Sequence, residues 1–417
     1  MFNFLMNLHL HDPNPNTQTT GTVGLSDEMK TFYSMELLDD AQPALIHSQV
    51  CSKEPLPQGS GKKIEKRKFG HFSKATTPLT EGVTPDGHGL TVTKVEKEVA
   101  QYGDYSTVSD VLEMTAIDPI IVEYTQRHAS NMALTLDTIC RNELQSGTNV
   151  MYAPNISGST ETEVTARHKM DGTGRLTGKL VNKAATWLKK QNAPTVNGKY
   201  LAIIHPSVAF DLRQDAAWLD AHKYAAPTEI FNGEIGELHG VRFIESTEAK
   251  IYCGADLASN SRTLAVNNAQ GYTGAITSIA FDGGTVAADA LIGRYIVING
   301  VKAKVTDNTA SAITVESTDF GTVADNAVIY PGEGGGAGKA VYGCLFCGKE
   351  PAMDVELAGG NAHIIVKNKG SAGTADPLDQ RSTIGWKATG YGTKILYNEY
   401  LLRVEVCSEF SDVDEEN

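Results

Sequence analysis

No stretch of this 417-residue chain approaches the roughly 20 consecutive apolar residues that span a bilayer. Positive charge is scarce: 36 Lys and Arg stand against 50 Asp and Glu, a formal net charge of −14. That balance argues against a surface that binds DNA or anionic lipid over its whole extent. It leaves room for one local basic contact. Cysteine is sparse too. Cys51, Cys140, Cys253, Cys344, Cys347 and Cys407 are scattered and form no disulfide framework, which fits a protein made in a reducing compartment. The N-terminal "MFNFLMNLHLHDPNPN" has no basic region before its apolar residues and breaks early at Asp12-Pro13-Asn14-Pro15. It does not read as a signal peptide.

Chemical motifs are missing in the same way. Neither G-x-S-x-G nor H-E-x-x-H occurs. "PGEGGGAGKA" carries Gly338-Lys339, but Glu333 stands where a phosphate loop needs its first Gly and Ala340 where it needs Ser or Thr. It reads as a junction. Cys344 and Cys347 form a C-x-x-C with no second ligand pair at zinc spacing. They read as buried thiols in a strand. His9 and His11 read as incidental, and Ser60 with Lys63 spells S-x-x-K without the partner motifs of serine acyl-enzymes. His205-Pro206 reads as a strand end. The sequence offers no catalytic, metal or cofactor site, and the chain is expected not to be an enzyme.

What is present is 41% hydrophobic residues, enough for a sizeable core, and 21% charged. The N-terminal arm, 1–48, is turn-rich, then carries a helical pattern at Met29, Phe32, Tyr33, Glu36 and Leu37, with Ser26 as its N-cap. Residues 49–103 read as a long hairpin. "KKIEKRKFGHFSK" and "LTVTKVEKEVAQYGDY" alternate like strands around a Pro-, Gly- and Thr-rich turn. The first strand is basic: Lys62, Lys63, Lys66, Arg67, Lys68 and Lys74 face one acid, Glu65, with Phe69 and Phe72 interleaved. A two-stranded hairpin is marginal alone and should lie against something else. Residues 118–146 read as a long helix. Asp118 caps it, Pro119 opens it, and Ile121, Tyr124, His128, Met132 and Ile139 share a face. Glu123 with Arg127, and Asp137 with Arg141, are favourable i,i+4 pairs.

Residues 176–254 alternate helix and strand as an α+β or α/β unit. "TGKLVNKAATWLKKQNA" and "SVAFDLRQDAAWLDA" are the helices, the first with Leu180, Ala184, Trp187 and Leu188 facing in and the second with Phe210 and Leu212 apolar. "YLAIIHP" and "GVRFIES" are the strands. Residues 255–340 read as an inserted β-rich module with a hairpin turn at Asn299-Gly300. Strands resume after it, and residues 411–417 form an acidic tail expected to be disordered.

The C-terminal run "GSAGTADPLDQRSTIGWKATGYGTKILYNEYLLRVEV" makes the pattern specific. Through Asp376-Pro377-Leu378, Gln380-Arg381 and Gly385-Trp386-Lys387 it resembles the closing segment of major capsid proteins of tailed phages of the enterobacteriophage N-four type. "NGKYLAIIHPSVAFDLRQD" and "GEIGELHGVRFIES" are similar to the middle of that family. The likeness covers most of 20–250 and 341–407, and 255–340 departs from it.

The resemblance implies an α+β fold of the tailed-phage and herpesvirus major capsid type. Its parts would be an N-terminal arm at 1–48, an extended loop at 49–103 and a peripheral domain at 104–175 with spine helix 118–146. An axial domain would follow at 176–254, with its return at 341–375, closing peripheral strands at 376–410 and a tail at 411–417. It also implies a virion shell protein assembled in the host cytoplasm, without cofactors. Its partners would be copies of itself in hexamers and pentamers, besides scaffold, portal and decoration proteins. The DNA would be enclosed rather than specifically bound, and no membrane would take part. Lys62, Lys63, Lys66, Arg67, Lys68, Phe69 and Phe72 would then contact a neighbouring subunit. Some relatives of this fold crosslink a loop Lys to a neighbour's Asn; Lys62 or Lys63 is the candidate donor, with no acceptor readable. Two other classes stay open: a nucleic-acid-binding protein using segment 60–74, and an enzyme carrying an inserted β domain.

Overall fold

The computed structural model describes residues 17–18 and 46–417, less 116–119, 217, 220–235, 260, 359–361, 372–375 and scattered positions between 71 and 88. The arm helix around Met29 and the cap Asp118-Pro119 lie outside the described residues. The chain divides into two compact units.

The first unit takes in residues 1–42, 53–137 and 354–393. Its sheet runs in the order Thr17–Gln18, Ala100–Ser109, Arg381–Ile395, Ala352–Leu357, Ser52–Leu56, with His363–Lys367 added to Arg381–Ile395. The ladder between Ala100–Ser109 and Arg381–Tyr391 is antiparallel, with an irregularity between Thr389 and Tyr391. Asp354 is fully buried in this sheet and accepts from Lys53 Nζ at 2.5 Å and from Thr393 Oγ1 at 3.1 Å. One carboxylate thus ties the strands on either side of it, and its burial is compensated by a cation and a hydroxyl. The helix α1, Asp110–Thr115, leaves the end of Ala100–Ser109 directly. Leu112 on α1 packs with Val108 and Ile384.

The long helix α2 is Ile120–Gln145, 26 residues, which at about 1.5 Å each is a rod of about 39 Å. Its expected Glu123–Arg127 pair forms at 2.8 Å. Its inward His128 meets Ser106 Oγ at 3.0 Å.

The second unit holds residues 43–52, 138–353 and 394–417. Its mixed sheet runs Glu237–Leu238, Val241–Glu245, Tyr200–Ile204, Val341–Cys347, Leu401–Val406, Val150–Tyr152. Ile251–Tyr252 also pairs with Val341–Tyr342. The helices α3, Gly178–Lys190, and α4, Pro206–Gln214, contribute Leu180, Ala184, Leu188, Val208 and Leu212 to its core. Thr177 caps α3 by accepting from Leu180 N. Phe210 is partly exposed, its ring 5.6 Å from that of Phe410.

The inserted module is a closed barrel of six short strands between Leu264 and Pro331. Its interior is Val266, Ile279, Phe281, Ile296, Val305, Ile313 and Ile329. Asn299 and Gly300 both have positive φ, as a two-residue type I′ hairpin requires.

Two expectations are settled by packing. Cys344 and Cys347 are buried in Val341–Cys347, but a separation of three in a strand puts them on opposite faces. Cys344 joins the core under α3 and α4 and Cys347 joins a different cluster, so they cannot act as a pair. The acidic tail, expected to be disordered, is instead docked. Lys339 meets Asp412 at 2.7 Å, the Tyr342 hydroxyl donates to Asp414 at 2.6 Å, and Lys250 meets Glu416 at 2.9 Å. Opposite charge at matched spacing orders a segment that its composition alone would leave loose.

His205 caps α4. Its Nδ1 accepts from Ser207 N at 3.2 Å, and its ring stacks on Tyr342 at 5.2 Å. Burial lowers its pKa, with Asp414 opposing. The folded state therefore prefers neutral His205, and this contribution is present above the ordinary His value of about 6.5 and lost as pH falls below it. Thermal denaturation of the wild type should show a melting temperature that drops as the pH is lowered from about 6.5 to 5. His205→Asn keeps a capping acceptor, does not titrate, and should flatten that slope.

Candidate assembly surface

The basic segment forms the antiparallel hairpin Lys63–Phe69 with Val92–Glu98, in register from Lys63 opposite Glu98 to Phe69 opposite Val92. The second strand continues almost unbroken into Ala100–Ser109 of the first unit's sheet. The first strand is reached from Ser52–Leu56 of the same sheet. Both legs are therefore rooted in one sheet. The far end is apolar and uncovered: Phe69 is 57% exposed and Phe72 61%, with Leu90 and Val92 beside them.

Charges along the hairpin are partly answered within the chain. Lys66 pairs with Glu54, Arg67 lies 3.2 Å from Glu65, Lys94 lies 2.9 Å from Glu65, and Lys63 lies 3.7 Å from Glu98. The hydrogen bond from Lys94, then that from Arg67, holds the Glu65 carboxyl below its usual value. Four glutamates on 52–69 and 92–98 face eight Lys and Arg, so the hairpin stays basic on a chain of net charge −14. Lys62 and Lys68 are on the same strand run, and Lys62 also accepts Val99 N at its backbone carbonyl.

The eight residues of the C-terminal motif come together around the central ladder. Asp376 accepts from Arg381 N at 2.9 Å and lies 3.9 Å from its guanidinium. The Gln380 carbonyl accepts from Asp110 N, at the start of α1. Trp386 is buried and its Nε1 donates to Asn131 Oδ1 on α2 at 2.8 Å. Gly385 faces Tyr105, and a Cβ there would lie 2.6 Å from the Asp104 carbonyl oxygen. Lys387 pairs with Gly103, where a Cβ would meet the Trp386 carbonyl at 2.7 Å. Leu378, after Pro377, is exposed. Most of these residues build the strand that anchors the hairpin, so their signal is structural.

Sequence reasoning missed the buried ion cluster of the second unit. Glu405 is fully buried on Leu401–Val406. Arg167 grips it with Nε at 2.7 Å and Nη2 at 2.5 Å, and Arg403 Nε lies 2.8 Å away. Arg167 also stacks 3.3 Å above the Tyr252 ring. Arg403 and Glu405 sit two apart on one strand, but Arg167 and Tyr252 lie far from them in the sequence, so no local signal could have assembled the cluster. A groove of about 820 Å³ beside α3 is lined by Met151, Leu180, Trp187 and Leu402 with Glu161, Glu163, Lys179 and Lys183. Among the described residues no group of three or more His, Cys, Asp or Glu could hold a metal ion, and no helix is long and apolar enough to cross a membrane.

Two substitutions test these anchors by chemical denaturation. Gly385→Ala forces a Cβ into backbone and should cost about 1–3 kcal/mol, whereas Gly89→Ala, with open space around it, should stay within about 0.5 kcal/mol of wild type. Glu405→Gln leaves two arginines without their carboxylate and should cost about 3 kcal/mol.

Residues 92–263 match the model of a family described as phage capsid protein. No curated protein matches the sequence. In fold the chain is similar to the capsid protein of cyanophage P-SCSP1u, at 13% identity and TM-score 0.55 over 94% of this chain and 98% of that one. It is similar to that of cyanophage Pam1, at 12% identity and TM-score 0.56 over 92% and 97%. It is also similar to that of Ralstonia phage GP4, at 13% identity and TM-score 0.51 over 96% and 100%. The narrower likeness to the N-four type rests on the sequence segments quoted above. Over residues 92–263 the sequence matches the phage capsid protein model, and over more than nine-tenths of its length the chain has the fold of these phage capsid proteins.

Proposed function

We propose that the chain is the major capsid protein of a tailed phage, whose copies join as hexamers and pentamers into the shell around the genome. One observation carries the reading: a two-stranded hairpin rooted in a sheet ends in uncovered Phe69, Phe72, Leu90 and Val92. Such a hairpin cannot bury its own apolar end and is marginal alone. A second copy would supply the missing surface. In this reading 49–103 is the extended loop, α2 the spine helix, 176–254 with 341–375 the axial domain, and 255–340 an insertion. Scaffold, portal and decoration proteins would be further partners, and assembly would take place in the host cytoplasm. The role is structural rather than enzymatic.

The exposed basic residues suit an acidic neighbour of the same chain. Each exposed pair contributes only about 0–1 kcal/mol, but a shell repeats the contact at every equivalent interface. Lys63, Lys66 and Arg67 have partners in their own chain, so the two exposed Phe are the cleaner test. The basic strand with exposed aromatics also favours one rival, binding of single-stranded nucleic acid by stacking and phosphate contact.

Light scattering and negative-stain electron microscopy of the purified protein should show closed particles or rings of five or six subunits. Phe69→Ser with Phe72→Ser, or charge reversal at Lys62, Lys63 and Lys68, should leave the melting temperature nearly unchanged and lower the yield of particles at least tenfold. Particles formed equally well by both variants would remove the hairpin from assembly. A chain that stays monomeric at high concentration and binds oligonucleotides with a steep salt dependence would favour the nucleic-acid reading.

A further inference from the structure

All six cysteines are buried and reduced, but two of them meet. Cys51 follows the short helical turn His47–Val50, and Cys140 lies in the last part of α2. Their Sγ atoms are 3.4 Å apart across 89 positions of sequence. Both sit in an apolar cluster with Ile46, Val50, Leu144, Leu345 and Leu401. A disulfide bond is about 2.05 Å long, so the sulfurs need to approach by little more than 1 Å, within reach of side-chain rotation and a small backbone shift.

We propose that Cys51 and Cys140 are an oxidation site, a dithiol in a reducing medium and a disulfide in one poised by a low-molecular-weight disulfide such as oxidised glutathione. Cys51 is 7% exposed and Cys140 0%, which sets the order of events. The Cys51 thiolate attacks one glutathione sulfur, and the glutathione disulfide breaks to release one glutathione thiolate. The Cys140 thiolate then attacks the Cys51 sulfur and displaces the second. Two protein thiols are oxidised, one glutathione disulfide is reduced, and the two thiol protons pass to the released glutathiones. The bond closes a ring of chain that contains the whole hairpin 63–98, and so ties the segment preceding the hairpin to α2. Closing so long a loop restricts the unfolded chain.

The other thiols compete poorly. Burial pushes Cys344 and Cys347 far above the ordinary thiol range and Cys407 up to about 12. Thiols held protonated do not exchange. The site is independent of the shell reading, because it is measured on the purified chain whatever its assembly state.

The full chain is incubated natively with oxidised glutathione, unfolded without reductant, alkylated and weighed. The number of alkylated cysteines should fall from six to four, and a non-reducing digest should yield one linked pair containing Cys51 and Cys140. The melting temperature should rise by several degrees and return on adding dithiothreitol. Cys51→Ala and Cys140→Ala should show neither the link nor the rise. Six alkylated cysteines after prolonged oxidation, or a link from Cys51 to Cys347, would overturn the proposal. If either variant fails to melt cooperatively, the wild-type count and linked peptide decide alone.

Discussion

The first unit depends on one ladder, Ala100–Ser109 against Arg381–Tyr391. It joins segments nearly 280 positions apart, and it works because two glycines stand where the backbones press closest. Gly103 and Gly385 each face a carbonyl oxygen at a distance no Cβ tolerates. The strand so fixed runs on into the hairpin, and the Trp386 side chain that follows Gly385 is hydrogen-bonded to α2. A projecting finger needs a rigid base, and here the base is a sheet strand whose partner comes from the C-terminal part of the chain.

The second unit solves a different problem. It must hold a barrel of small residues, poor in charge, without disturbing its own sheet. The barrel closes its core within itself around Ile279, Phe281 and Ile313, so it asks little of its host. At the junction the chain uses charge. Glu333 accepts from Arg294, and its carbonyl meets Arg167, which also grips the buried Glu405. The excess of acid in the composition is thus partly spent inside, on arginines and on the docked tail, and does not all lie on the surface.

Much of this was legible beforehand. The alternation in "KKIEKRKF" and "LTVTKVEKE" gave the hairpin strands, the period of Ile121, Tyr124 and His128 gave α2, and Asn299-Gly300 gave a barrel hairpin. Each of these is a local signal, read from neighbours within a few residues. The motif at Asp376–Lys387 was visible as a resemblance, but its purpose was not. Trp386 and Gly385 act on residues 102–131, and no spacing rule connects them. The tail was misread for the same reason: "SDVDEEN" looks disordered until Lys250, Lys339 and Tyr342 are placed beside it.

By itself the sequence determined the elements, the basic finger on an acidic chain, the scattered cysteines and the inserted module, because periodicity, turn residues and composition are local quantities. The tertiary structure alone decided which strands pair, that Arg167 grips Glu405, and that Cys51 and Cys140 face together. Those are contacts between residues distant in the chain. Only the folded path brings such groups within the few ångströms over which hydrogen bonds, ion pairs and sulfur contacts act.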